Sequence, residues 1–254
     1  MELVVRQLEK VFSGNSSRRE LTVFKDMNFQ VSSGEFISII GPSGCGKSTL
    51  LEIIAGLQGY TGGQITIDGV PLKQSRANCA IVFQQYGLFP WLTVVKNIEF
   101  GLKIRGIPRN ERKKTARKFI EMVGLTGFDT YYPHELSGGM QQRVAIGRAL
   151  ANEPDILLLD EPFAALDAQT KENCQRELLA IWRETGVTTL FVTHDVSEAI
   201  FLSDRVLVLS KTPASIQEEM VIDLKRPRDF SLRLETGFRE LEIKMRALIS
   251  DHPN

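Results

Sequence analysis

Cysteine is scarce. Cys45, Cys79 and Cys174 are the only three in 254 residues, and no two form a C-x-x-C pair. That spacing suggests neither a disulfide framework nor a zinc site and suits a reducing compartment. A surplus of charge is also missing, since 31 Lys and Arg balance 31 Asp and Glu. Binding driven by phosphate neutralisation needs a basic excess, so no nucleic-acid partner is expected, although a local patch can hide inside a neutral total. No apolar run approaches the roughly 20 residues of a membrane span. The opening Met1-Glu2-Leu3-Val4-Val5-Arg6 does not read as a signal peptide. Any tie to a membrane is therefore expected to run through a partner. There is no internal repeat and no low-complexity segment. With 43% hydrophobic and 24% charged residues, the chain has the makings of an ordinary globular core, as one large domain or two small ones.

What is present is led by Gly41-Pro42-Ser43-Gly44-Cys45-Gly46-Lys47-Ser48, a G-x-x-x-x-G-K-[ST] spacing. An apolar strand-like run, Phe36 to Ile40, precedes it, and a helix-like run, Thr49 to Leu57, follows. That context is the one a phosphate-cradling loop requires. Glycines let successive backbone N–H groups turn onto a phosphate without Cβ clashes. The helix N-terminus behind them adds partial positive charge. Lys47 can reach the terminal phosphates and the Ser48 hydroxyl can ligate Mg²⁺. A nucleoside triphosphate is the implied ligand. Cys45 sits near the same helix start, where a thiol pKa tends to fall; the other reading makes it a small residue filling the loop.

Around this loop the chain alternates. Leu3–Phe12 and Leu21–Val31 read as a β-hairpin across the polar loop Gly14-Asn15-Ser16-Ser17-Arg18-Arg19-Glu20. Phe12, at a strand end, can stack on a nucleobase or pack in the core. Gly62-Gly63 reads as a turn before the alternating strand Gln64–Gly69, and Ala80–Phe83 as a buried strand ending at Gln84-Gln85. From Tyr86 to about Ala151 the pattern turns helical, with a short helix over Val95–Leu102 and a clearer one over Glu111–Val123. Lys113, Lys114, Arg117 and Lys118 give the second helix a solvated face. Strands return at Asp155–Asp160, Val187–Val192 and Arg205–Leu209, separated by helices over Ala168–Glu184 and Val196–Leu202. Such alternation predicts an α/β fold with a mostly parallel sheet, helices on both faces and the helical middle inserted.

Two further runs carry chemistry. Leu157-Leu158-Leu159-Asp160-Glu161 ends an apolar strand in two carboxylates. Asp160 is thereby delivered to the strand edge where Mg²⁺ sits beside phosphates, and Glu161 can act as general base on a water. Leu136-Ser137-Gly138-Gly139-Met140-Gln141-Gln142-Arg143 is a Ser-Gly-Gly turn feeding a helix, a second anion-binding N-terminus or a plain N-cap.

With this last motif the chain resembles the ATP-binding subunits of ABC transporters, over residues 2 to about 225. The resemblance implies a P-loop NTPase (RecA-like) parallel-sheet core, an N-terminal antiparallel β-subdomain and an inserted α-helical subdomain at about 86–151. It implies an ATPase domain over 1–225 and a C-terminal helical tail over 226–254. The run 136–143 matches the family signature, Gln84 the Q-loop glutamine and His194 the switch histidine. Ala164-Ala165-Leu166-Asp167 matches the D-loop, and Phe12 stands where the family places its adenine-stacking aromatic. Two such domains pair head to tail, so ATP in the 41–49 loop, Thr49 included, is covered by Ser137, Gly138 and Gly139 of a second copy or of a homologous ATPase. Gln84 then senses Mg²⁺ and the attacking water, Glu161 activates that water, His194 steadies the γ-phosphate, Ser48 and Asp160 hold Mg²⁺, and Asp167 links the two sites.

The family's helical middle docks on multi-span membrane permease subunits, which places the chain at the cytoplasmic face of the membrane. Trp91, in the Tyr86–Leu92 run, is the candidate contact there, with core packing as the other reading. The tail, with Lys225-Arg226-Pro227-Arg228-Asp229 and an apolar helix face of Leu234, Phe238, Leu241, Met245 and Leu248 beginning near Ser231, is similar, together with the runs Leu88–Val94 and Leu136–Arg143, to ATPases of nitrate, sulfonate and taurine importers. A solute-binding protein is an indirect partner in such systems. Soluble ABC ATPases usually carry long coiled coils or two fused ATPase domains, and guanine readers an N-K-x-D run; the sequence has none of these.

Overall fold

A computed structural model describes residues 1–13, 20–75 and 77–250. In chain order its elements are β1 (Leu3–Phe12), β2 (Leu21–Val31), β3 (Phe36–Ile40), α1 (Lys47–Ile54), β4 (Gly62–Ile67), β5 (Val70–Pro71) and β6 (Cys79–Val82). There follow α2 (Val94–Ile98), α3 (Phe100–Ile104), α4 (Arg109–Met122), α5 (Gly138–Leu150), β7 (Ile156–Asp160) and α6 (Ala168–Thr185). The chain ends with β8 (Thr188–Val192), α7 (Val196–Leu202), β9 (Arg205–Leu209), β10 (Ile216–Val221) and α8 (Thr236–Ser250). Two compact units form, one from residues 1–77 and 188–254 and the other from 78–187.

The first unit holds two sets of strands. β1 and β2 pair antiparallel with Leu3 opposite Val31, and β4 joins the other edge of β1, giving the order β2-β1-β4-β5. The expected hairpin is present, while the polar loop expected at 14–20 lies, up to Arg19, outside the described residues. β3 runs parallel to both β8 and β9, and β10 closes the β9 edge antiparallel. Every residue of β3 and β8 is buried, Ser38, Thr188 and Thr189 included, as strands of a parallel sheet covered on both faces require. In the second unit β6 runs parallel to β7, Cys79 opposite Ile156, beside helices α2 to α6.

Several boundaries differ from expectation. Gly62 and Gly63 belong to β4, not to a turn: Gly62 pairs with Glu9, and Gly63 takes a φ of +84° beside a register shift in β1. The helix after the phosphate loop stops at Ile54, where the chain turns over Ala55 and a left-handed Gly56. Val95–Leu102 is not one helix; a single residue, Glu99, interrupts the helical run between α2 and α3. The tail helix starts at Thr236 because Asp229 first caps a 3₁₀ turn over Phe230–Leu234, and an extended Glu235 ends that turn. Leu234 is consequently 71% exposed, and Phe238 and Met245 are the tail side chains that are fully buried. β10 was not anticipated: Ile216-Gln217-Glu218-Glu219 lacks the apolar character that marked the other strands.

Gly63 yields a stability test. A Cβ at this position would lie 2.1 Å from the Gln7 carbonyl oxygen, in a backbone conformation that L side chains avoid. Gly63→Ala should cost about 2–4 kcal/mol, strain and overlap together, read as a lower denaturation midpoint at unchanged m-value.

Candidate functional site

The phosphate loop is built on the first unit. β3 ends at Ile40 and the chain turns at Gly41, where a Cβ would meet the Leu209 Cβ at 2.9 Å and the Leu209 carbonyl at 3.1 Å. Gly46, the N-cap of α1, has a φ of +101°. A Cβ there would sit 2.4 Å from Val23 Cγ1 and 2.7 Å from the Phe24 ring. Both glycines are thus demanded by packing behind the loop as well as by approach to a ligand in front. Pro42 accepts the Cys45 N–H at 3.3 Å, and Gly44 accepts the Thr212 hydroxyl at 3.2 Å. Lys47 is only 6% exposed, and its ammonium donates to the Gly41 and Pro42 carbonyls at 2.9 and 3.0 Å. Ser43, Gly44 and Ser48 line the exposed rim, and the first-turn amides of α1 have no intrahelical acceptor. A buried cation beside the amides of a helix start is a cradle for a polyphosphate.

His194 lies in the same unit, exposed, between β8 and α7. Its neighbours fix the turn. The buried Thr193 hydroxyl donates to the Glu198 carboxylate at 2.6 Å and accepts the Asp195 N–H at 3.0 Å. Asp195 in turn caps α7 by accepting the Ser197 and Glu198 amides at 2.9 and 3.3 Å. Phe12 is partly exposed at the end of β1, with the Lys10 ammonium 4.5 Å from its ring centre.

The remaining motif residues lie in the second unit. Asp160 is the last residue of β7, and Glu161 follows in the left-handed region, at φ +44°. A non-glycine residue there is uncommon, and sequence reading had no signal for it. Gln84 is exposed just beyond β6. Ser137 is the N-cap of α5, its hydroxyl accepting the Met140 N–H at 3.3 Å. Gly139 packs against α6, where a Cβ would meet Thr170 at 2.5 Å. Asp167 caps α6 by accepting the Thr170 N–H at 3.0 Å, and its bonds to Thr170 hold its carboxyl below the usual carboxylate range.

The Tyr86–Leu92 run is exposed at its tip, Trp91 being 69% open to solvent, so the core-packing reading of Trp91 falls away. Two residues missed by sequence reading hold this run. Asn97, fully buried, donates to the Phe89, Leu92 and Thr93 carbonyls and accepts the Phe89 N–H at 2.9 Å. Arg148 donates to Gly87 and Tyr86 carbonyls at 2.6 and 3.1 Å, and burial lowers its pKa. Beside them opens a groove of about 650 Å³, its wall including Phe89, Phe100, Gly101, Arg148 and Asn152.

The thiol expectation for Cys45 is overturned. The side chain is buried, and desolvation raises its pKa, outweighing the lowering effect of Lys47. Desolvation likewise pushes Cys79 and Cys174 up to about 11. Cys45 is therefore the filler of the loop, not a reactive thiol.

The strand–glycine-loop–helix with its buried lysine defines a P-loop nucleotide-binding fold. A family model described as ABC transporter matches residues 24–164. An uncharacterised ABC transporter ATP-binding protein of Methanocaldococcus jannaschii is 52% identical, over 99% of this chain and 92% of its own length. A nitrate import ATP-binding protein of Synechocystis sp. is 44% identical, over 98% of this chain and 95% of its own. Among solved structures, a dimeric ATP-binding cassette in a post-hydrolysis state bound to ADP and Pi superposes with a TM-score of 0.75 at 35% identity, covering 88% of this chain and all of that one. The chain belongs to the ABC transporter family, as one of its ATP-binding, ATP-hydrolysing proteins.

Two outcomes are expected. Asn97→Ala takes the side-chain partner from the Phe89 N–H and the Leu92 carbonyl and should cost about 2–4 kcal/mol in chemical denaturation. At pH 7.5, iodoacetamide should label the folded chain far more slowly than the urea-unfolded chain at all three cysteines, and ATP should make little difference at Cys45.

Proposed function

We propose that this chain is the ATPase subunit of an importer for a small anion such as nitrate, a sulfonate or taurine. The observation that carries this reading is the match to the nitrate import protein over nearly the whole chain, tail included. The Leu88–Val94 run and the tail, already similar to that importer group, support it. The protein works as a head-to-tail pair, with a second copy or a homologous ATPase, at the cytoplasmic face of the membrane. Among the described residues no helix is long and apolar enough to cross a membrane, so membrane subunits supply the path. They dock at the groove beside Phe89 and Phe100 through the exposed Trp91 run. A solute-binding protein delivers the cargo to those subunits.

In this reading Lys47 and the amides of Gly44 to Thr49 hold the ATP phosphates of one subunit, and Ser137, Gly138 and Gly139 of the other cover them. Phe12 stacks on the adenine. ATP binds the paired state better than the separated one, and that difference drives closure. Glu161 accepts a proton from water as the water oxygen bonds to the γ-phosphorus. The bond from that phosphorus to the β–γ bridging oxygen breaks, and ADP leaves with its electron pair. His194 steadies the charge gathering on the γ-phosphoryl oxygens, Gln84 reports on that water, and Asp167 couples the two sites. Ser48, Gln84 and Asp160 offer hydroxyl, amide and carboxylate oxygens, the hard donors that Mg²⁺ takes. The ion, when bound, neutralises charge on the β- and γ-phosphates.

Glu161→Gln keeps the shape of the side chain and removes the base. Turnover should fall about 10²–10⁴-fold, while ATP still binds and a dimer accumulates on gel filtration. Turnover near the wild-type rate would remove Glu161 from the role of base.

A further inference from the structure

α7 begins one residue after Asp195 and is only seven residues long, too short to hold its own conformation. Its N-terminal end is tied to the His194 turn through Thr193, Asp195 and Glu198. Its C-terminal end is tied to the tail. Arg228 Nη1 donates to the carbonyls of Ile200, Phe201 and Ser203 at 3.0, 3.0 and 2.7 Å. Its Nη2 donates to Ile222 and Leu224 at 3.3 and 3.2 Å. The carbonyls of Ile200, Phe201 and Ser203 stand at the C-terminal end of α7, where a helix leaves carbonyls without partners and its dipole favours a cation.

Burial and the adjacent Arg226 push the Arg228 guanidinium down to about 10, so it remains charged at neutral pH. Arg226 donates to the Leu202 carbonyl at 2.8 Å and to the Asp204 carboxylate at 2.8 and 3.0 Å. The Phe230 ring stacks on Phe201 with centroids 4.5 Å apart, and the Arg233 guanidinium lies 5.3 Å from one ring and 4.5 Å from the other. On the opposite side Ser203 bonds Ser38 of β3. α8 packs along α7 as well. A whole tail is thus spent on about two turns of helix.

We propose that Arg228 is a positioning residue for His194. By pinning the C-terminal end of α7, it fixes the turn that presents the imidazole, and it sets the rate of hydrolysis without setting the affinity for ATP. This rests on the role given to His194 above. Loss of the pin lets α7 shift or fray, and the turn at its other end moves with it, because Thr193 and Asp195 are bonded to the first turn of that helix.

The test is a double-mutant cycle on the full chain with steady-state ATPase kinetics. Arg228→Met should lower kcat about 10-fold with KM for ATP within about twofold, and Arg228→Lys should restore part of the loss. In a His194→Ala background Arg228→Met should cost nothing further. An unchanged kcat, an effect confined to KM, or losses that multiply in the double mutant would overturn the proposal. A His194→Ala chain with wild-type kcat removes the histidine's role and this proposal with it; a slow His194→Ala chain beside a fast Arg228→Met chain removes this proposal alone. Should Arg228→Met not fold, Phe230→Ala removes the stack on Phe201 and keeps the guanidinium. It should show a smaller loss confined to kcat, and wild-type kcat there counts against the pin.

Discussion

A lysine ammonium withdrawn from water must find acceptors, and Lys47 finds them in the carbonyls of Gly41 and Pro42. Burying such an ion unpaired costs several kcal/mol, far more than any one contact in the loop returns. The loop is therefore folded around its own cation. Two carbonyls face inward to hold the charge, and the first-turn amides of α1 that follow have no intrahelical acceptor. Gly46 makes the turn into α1 possible because its backbone takes a φ of +101° while its α-carbon is pressed on Val23 and Phe24. The phosphate cradle and the packing of β2 behind it are one constraint seen from two sides.

The residues that sequence reading found are those whose chemistry demands neighbours in sequence. Glycines, lysine and serine must follow one another to wrap a phosphate, and Asp160 must end an apolar strand to reach its edge. Those runs stand where they were expected, on β3–α1, on β7 and at the start of α5. What was illegible depends on partners that no local motif marks. Arg228 looks like a basic residue in a polar tail, but its acceptors lie up to 28 residues away at the end of α7. Asn97 looks like a polar residue in a short helix, yet it ties down the turn that carries Trp91. The error at Cys45 is of the same kind. Position at a helix start was visible and lowers a thiol pKa, whereas the burial that outweighs it was not.

One regularity joins the motif residues. Gly46 caps α1, Ser137 caps α5, Asp167 caps α6 and Asp195, next to His194, caps α7. For Ser137 the sequence offered an anion site and a plain N-cap as rival readings. They are compatible, because a serine hydroxyl that accepts the Met140 amide keeps its own proton to donate. The first-turn amides it leaves over have no acceptor within the helix. A cap shapes the helix start, and the helix start supplies the donors; structural and chemical roles fall on one residue because both follow from the unpaired ends of a helix.

Helix starts placed this way are accurate only if the helices behind them cannot slide. α5 and α6 are anchored by length and by buried faces, with Val144, Ile146 and Leu150 on the first and Leu178 and Ile181 on the second, and the eight-residue α1 by its buried Leu50, Leu51, Ile53 and Ile54. α7 has only seven residues, six of them buried. Its buried residues supply part of the grip, and the carbonyls at its far end need a partner that the ATPase core has not provided. A guanidinium with five donors in a rigid fork is suited to gather carbonyls that diverge from one helix end. The tail that supplies it fastens the far end of the shortest of these four helices.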